Sequence, residues 1–99
     1  MSGMAAAIQK RQGDEMKGKY GFSDAQVKQY FQKEAKINTG TQTQLTLLRK
    51  KLVATKDGDM KRRIAQEMRG VLAASDKKNY DALLSIATPT QRQRILAQR

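Results

Sequence analysis

Two basic triplets, Arg49-Lys50-Lys51 and Lys61-Arg62-Arg63, are the groups in this chain best suited to do chemistry. That chemistry is the neutralisation of a polyanion. Each Lys or Arg that meets a phosphate releases condensed counterions, which gives affinity without any sequence code. Residues 49–63 hold seven cations and two Asp, so the stretch carries +5. Lys56 stands between the triplets, and Arg92 and Arg94 form a smaller basic group further on. The candidate nucleic-acid-binding set is therefore Arg49, Lys50, Lys51, Lys61, Arg62 and Arg63, with Lys56, Arg92 and Arg94 secondary.

Catalytic chemistry is poorly supplied. The chain has no His and no Cys, which removes the commonest general base, the commonest metal ligand and the thiol nucleophile. Asp57 and Asp59 flank Gly58, but a calcium loop needs more oxygen ligands and a closing Glu. As turn formers and a helix N-cap the two have an ordinary explanation. Gly18-Lys19-Tyr20-Gly21 lacks the spacing of a phosphate loop. The expectation is a non-enzymatic protein with no catalytic residue, metal, cofactor or small-molecule substrate.

The net charge of +11 on 11.1 kDa points the same way, toward DNA, RNA or an acidic protein groove. Leu, Ile, Val and Phe total only 18 residues, so the core is modest and a partner should add order. The longest apolar run, residues 4–8, is too short to span a bilayer or to serve as a secretory leader. A membrane-surface role is disfavoured, because the chain has no Trp and its apolar stripes are needed as core. The expected location is the cytoplasm or the inside of a virion or nucleoprotein particle.

The elements that must position the triplets are helices. Leu45, Leu48 and Leu52 keep helical spacing before the basic stretch; Met60, Ile64, Met68, Val71 and Leu72 keep it afterwards. Lys56-Asp57-Gly58-Asp59 has turn chemistry. The spacing predicts a central helical hairpin with one triplet near the end of its first helix and the other near the start of its second. That brings the two triplets onto neighbouring surface.

Around this hairpin the pattern predicts an all-α fold of five to six short helices. Residues 1–22 read as a flexible basic arm with a short helix at 4–12, because Gly13, Gly18 and Gly21 punctuate them. Residues 23–99 read as a small bundle-like domain. Within it, Ser23 caps a helix with Gln26 completing the capping box, and Asn38-Thr39-Gly40 ends that helix. The hairpin's second helix is expected to stop near Ala74-Ser75, with Ser75 or Asp76 capping the next. Thr88-Pro89-Thr90-Gln91 is a second capping box with Pro at the first helical position.

Two finer readings follow. A helix, the Asn38–Gly40 turn and a helix presenting Gln42, Thr43, Thr46, Arg49 and Lys50 would form a helix-turn-helix unit, although Ala35 and Gly40 are five apart where the motif has four. Tyr20, Phe22, Tyr30 and Phe31 would offer stacking surfaces to a single strand. The functional expectation is a small structural protein that binds DNA or RNA mainly through phosphates, as a component of a larger assembly. The alternative is an assembly or regulatory protein whose basic face docks on an acidic protein, with Met4, Met16, Met60 and Met68 packing adaptably against it.

Overall fold

The computed structural model describes residues 2–98. They form four helices: α1 (Ser2–Tyr20), α2 (Asp24–Ala54), α3 (Gly58–Ile86) and α4 (Pro89–Ala97). The all-α expectation is met, with four helices instead of five to six. No strand occurs among the described residues.

The helix number falls because two expected breaks, at residues 38–40 and 74–76, are absent; a third, at Gly13, is also absent and lengthens α1. Residues 2–20 are one helix, not a short helix followed by an arm. Gly13 lies inside it and is buried; a Cβ there would come 3.0 Å from Val27 Cγ1. This glycine marks a close approach of α1 to α2, not a stop. α2 continues through Asn38-Thr39-Gly40, so the helix-turn-helix reading fails. The hydroxyls of Thr39, Thr41 and Thr43 donate to the carbonyls of Ala35, Ile37 and Thr39 at 2.9, 3.0 and 3.0 Å, which satisfies these side chains within the helix. α3 likewise runs through Ser75 and Asp76.

The chain forms two compact units, and α2 and α3 contribute to both. One unit is built from residues up to 32 and from 82 onward. Here α1 packs on α4, around buried Met16, Phe22, Val27, Ala82, Ala87 and Ile95. α1 ends at Gly21, whose φ of 75° suits the left-handed cap and whose N–H reaches the Lys17 carbonyl at 2.9 Å. Lys17 then pairs with Asp24; the hydrogen bond and charge of that carboxylate hold the amine above its ordinary value.

Both predicted capping boxes form in this unit. Ser23 N–H donates to Gln26 Oε1 at 2.9 Å, and Gln26 N–H to Ser23 Oγ at 3.2 Å. Thr88 and Gln91 repeat the pair at 2.9 and 3.3 Å. The two boxes are also tied to each other. Gln26 Nε2 donates to Gln91 Oε1 at 2.6 Å and to the Ile86 carbonyl at 3.0 Å. Gln91 Nε2 donates to Gln26 Oε1 at 3.1 Å and to the Gly21 carbonyl at 2.8 Å. Each glutamine thus caps its own helix and bonds the carbonyl two residues ahead of the other's N-cap.

The second unit, Lys33–Asp81, is an antiparallel helical hairpin. Leu45, Leu48 and Ile64 are buried between its arms, with Leu52, Met68 and Val71 half-buried. Towards the open end the seam turns polar. Asn79 Nδ2 donates to Asn38 Oδ1 at 3.4 Å, and Thr41 and Ser75 line one concavity.

Two substitutions test this architecture. A Cβ on Gly40 would meet nothing within 4 Å, and its φ is not positive. Gly40→Ala should therefore stabilise the protein by about 1 kcal/mol, because Ala costs less helix entropy. A thermal melt should rise by about 4–8 °C; a fall would restore the helix stop at residue 40. Gln91→Glu keeps the acceptor for Thr88 but removes the donor to Gly21 and Gln26. It should cost about 1–2 kcal/mol in chemical denaturation, and an unchanged midpoint would show that the link between the boxes contributes nothing.

Candidate nucleic-acid interface

The hairpin unit carries seven of the nine predicted site residues. α2 ends at Ala54, and the Thr55 hydroxyl donates back to the Lys51 carbonyl at 2.6 Å. Asp57 then caps α3: its Oδ1 accepts from Asp59 N–H at 3.1 Å, and its carbonyl accepts from Lys61 N–H at 3.0 Å. The connection is therefore only residues 55–57. A tight turn between two long helices holds Arg49-Lys50-Lys51 and Lys61-Arg62-Arg63 at the same end of the hairpin, as their spacing predicts. All six are exposed, as is Lys56 in the turn.

Helix geometry distributes each triplet around its axis. Consecutive residues on an α-helix are separated by about 100°, so three in a row cover about 200°. Leu48 and Leu52 face inward on α2, which leaves Lys50 pointing outward and puts Arg49 and Lys51 on opposite flanks. Buried Ile64 does the same on α3, with Arg62 outward and Lys61 and Arg63 on the flanks. Because the helices are antiparallel, Arg49 shares a flank with Lys61, and Lys51 shares the other with Arg63. The tip presents cations on every side rather than as one flat patch.

The electrostatics of the tip are almost uncompensated. Asp59 reaches Arg62 at 3.8 Å, and both side chains are more than 80% exposed (84% and 83%). Such a pair contributes little and leaves the arginine available.

Arg92 and Arg94 belong to the other compact unit, so they are not part of this tip. Arg92 Nε donates to the Leu84 carbonyl at 3.0 Å, closing the end of α3. Arg94 Nη1 lies 3.0 Å from where a Cβ on Gly21 would stand. The aromatic residues read as stacking surfaces are also engaged in that unit. Phe22 is 4% exposed, and Tyr20, half-buried, lies against it at a ring-centroid distance of 5.5 Å. Tyr30 and Phe31 are half-buried, 6.0 Å apart. Of the methionines assigned to a partner surface, Met16 is buried and Met68 half-buried, whereas Met4 and Met60 are exposed.

One feature escaped the sequence reading. From residue 35 to residue 56 the chain contains no Asp or Glu, and this run holds Lys36, Arg49, Lys50, Lys51 and Lys56. The gap in acidic residues was the available signal, but the supposed stop at residues 38–40 divided it. Among the described residues no cluster of His, Cys, Asp and Glu could hold a metal ion, and no helix is long and apolar enough to cross a membrane. Compared with family models, curated proteins and solved structures, the chain matches none.

Full exposure makes the triplets removable without loss of the fold. Replacing Lys61, Arg62 and Arg63 together by Ala should leave the far-ultraviolet circular dichroism unchanged. Stability should shift by no more than about 0.5 kcal/mol per site; a loss of helicity would assign these side chains a structural role.

Proposed function

We propose that this is a non-enzymatic protein that binds nucleic acid through phosphate contacts made by the tip of the hairpin, as a component of a larger nucleoprotein or virion-type assembly. The observation that carries the reading is the convergence of two exposed basic triplets on one three-residue turn. Arg49, Lys50, Lys51, Lys61, Arg62 and Arg63 make the contacts, with Lys56 between them. Cations fanned around a narrow tip suit a ligand with many equivalent phosphates better than a single bound anion. Contacts of this kind position a protein on a polyanion without reading its sequence. Arg92 and Arg94, on the other unit, add a secondary surface.

A second reading is docking of the same tip on an acidic protein. It is favoured by apolar side chains left exposed among the cations: Val53 is 88% exposed, Leu47 56% and Met60 44%. A protein partner would cover these; a phosphate backbone would not.

Binding of the purified chain to labelled nucleic acid across a salt series separates the two. The phosphate reading expects log K to fall steeply with log salt, by roughly 0.9 for each phosphate contact. The Lys61, Arg62 and Arg63 to Ala variant should bind more weakly with a shallower slope. Negligible binding at physiological salt, or a slope unchanged in that variant, would overturn the reading and favour the acidic protein.

A further inference from the structure

We infer that the ligand of this tip is a B-form DNA duplex, and that the outer face of α2 lies in its major groove. The inference rests on the phosphate-binding reading above and adds the form of the nucleic acid and the element that meets it.

Because α2 does not break at residue 40, its outward face runs unbroken into the first basic triplet. Asn38, Thr39, Gln42, Thr43 and Thr46 line one open concavity on this helix, together with Leu47. Steps of three and four residues carry the same face on to Arg49 and Lys50. All of these side chains are exposed, and no carboxylate interrupts the face. From Thr39 to Lys50 it extends about 16 Å at 1.5 Å per residue. The result is a shallowly dished ridge of uncharged residues, polar except for Leu47, that ends in cations. The Thr39 and Thr43 hydroxyls already donate to backbone carbonyls, so the side-chain donors of the ridge are Asn38 Nδ2, Gln42, the Thr46 hydroxyl, Arg49 and Lys50.

Three physical points select the duplex and its form. Single-strand binding without sequence preference relies on aromatic platforms for the bases. The tip and the ridge contain none: Tyr20, Phe22, Tyr30 and Phe31 belong to the other unit, and Tyr80 is half-buried. An α-helix fits the major groove of B-DNA, which is about 12 Å wide, and Gln and Arg are the side chains that pair with base edges there. The major groove of A-form RNA is too narrow and deep for side chains to read. Charge complementarity gives the register: with the ridge in the groove, Arg49 and Lys50 meet phosphates at its rim, Lys61 and Arg63 add to the two flanks, and Arg62, on the outer face of α3, contributes only longer-range attraction.

The test uses the full chain with a DNA duplex, an RNA duplex of the same sequence and the two DNA single strands, at one salt concentration. The DNA duplex should bind at least about tenfold tighter than the others, and the bound protein should shield guanine N7, which faces the major groove, from methylation. Gln42→Ala combined with Thr46→Ala should weaken DNA-duplex binding severalfold without changing the salt slope, and should leave heparin binding unaltered. Equal affinity for all four ligands, unprotected guanine N7, or a double variant that binds like the parent would overturn the groove assignment while the phosphate reading stands. No binding to any of the four overturns both.

Discussion

The reciprocal bonding of Gln26 and Gln91 is the constraint on which the unit formed by residues up to 32 and from 82 onward depends. A helix start leaves backbone N–H groups without partners, and a chain turning into that helix leaves carbonyls without partners. Here two side chains meet both needs at two corners at once. Each supplies an amide oxygen to its own N-cap N–H and an amide N–H to the carbonyl of the opposite corner. A glutamate could make the first bond but not the second. The corners therefore stand or fall together, and with them the placement of buried Phe22 and Ala87 just before the two caps. Few apolar side chains are buried in this unit, so such polar ties carry a larger share of its specificity than in a large core.

The hairpin unit relies on a different balance. Its seam is apolar near the turn and polar toward the open end, where Thr41, Ser75 and the Asn38–Asn79 pair replace leucines. Those polar positions hide the helical period in the sequence. Counting apolar residues alone, the helical period vanishes at 38–41 and again at 74–79. Counting half-buried and buried positions of any type, it continues: Glu34, Ile37, Thr41, Leu45, Leu48 and Leu52 on α2, and Ile64, Met68, Val71, Ser75, Asn79 and Ala82 on α3. The two false breaks have one cause, because the polar residues that hide the period on each helix belong to the same layer of the hairpin. Gly13 misled for another reason: a glycine required by a close approach of helices has the same signature as one that ends a helix.

What was legible followed from chemistry confined to a few residues. Both capping boxes form as their Ser/Thr-x-x-Gln spacing indicates, and the turn forms at residues 55–57 with Asp57 capping α3, although Gly58 is already helical and has no positive φ. The clustering of the triplets was legible because it needs only that one turn. The link between Gln26 and Gln91 was not, since each amide is fully accounted for by its own box and nothing local points to a partner 65 residues away. The sequence ranks Arg92 and Arg94 below the triplets as a smaller basic group, but the bond of Arg92 to the Leu84 carbonyl depends on tertiary contacts and was not legible.

Local stability accounts for one triplet and not for the other. Arg49-Lys50-Lys51 lie in the last two turns of α2, where the partial negative charge of the helix end favours cations. Lys61-Arg62-Arg63 begin at the fourth residue of α3, close to the end where that charge is reversed. Asp57 and Asp59 offset part of this, Asp59 by its long contact with Arg62. The turn then sets the second triplet beside the first, so like charges face each other on both flanks. Each term is a fraction of a kilocalorie in water, and for the second triplet the helix-end charge and the facing cations are both unfavourable. A chain under no demand except to fold would gain by placing Glu at 61, beside Arg49, or at 63, beside Lys51. An anion lying against the tip would offset these small terms.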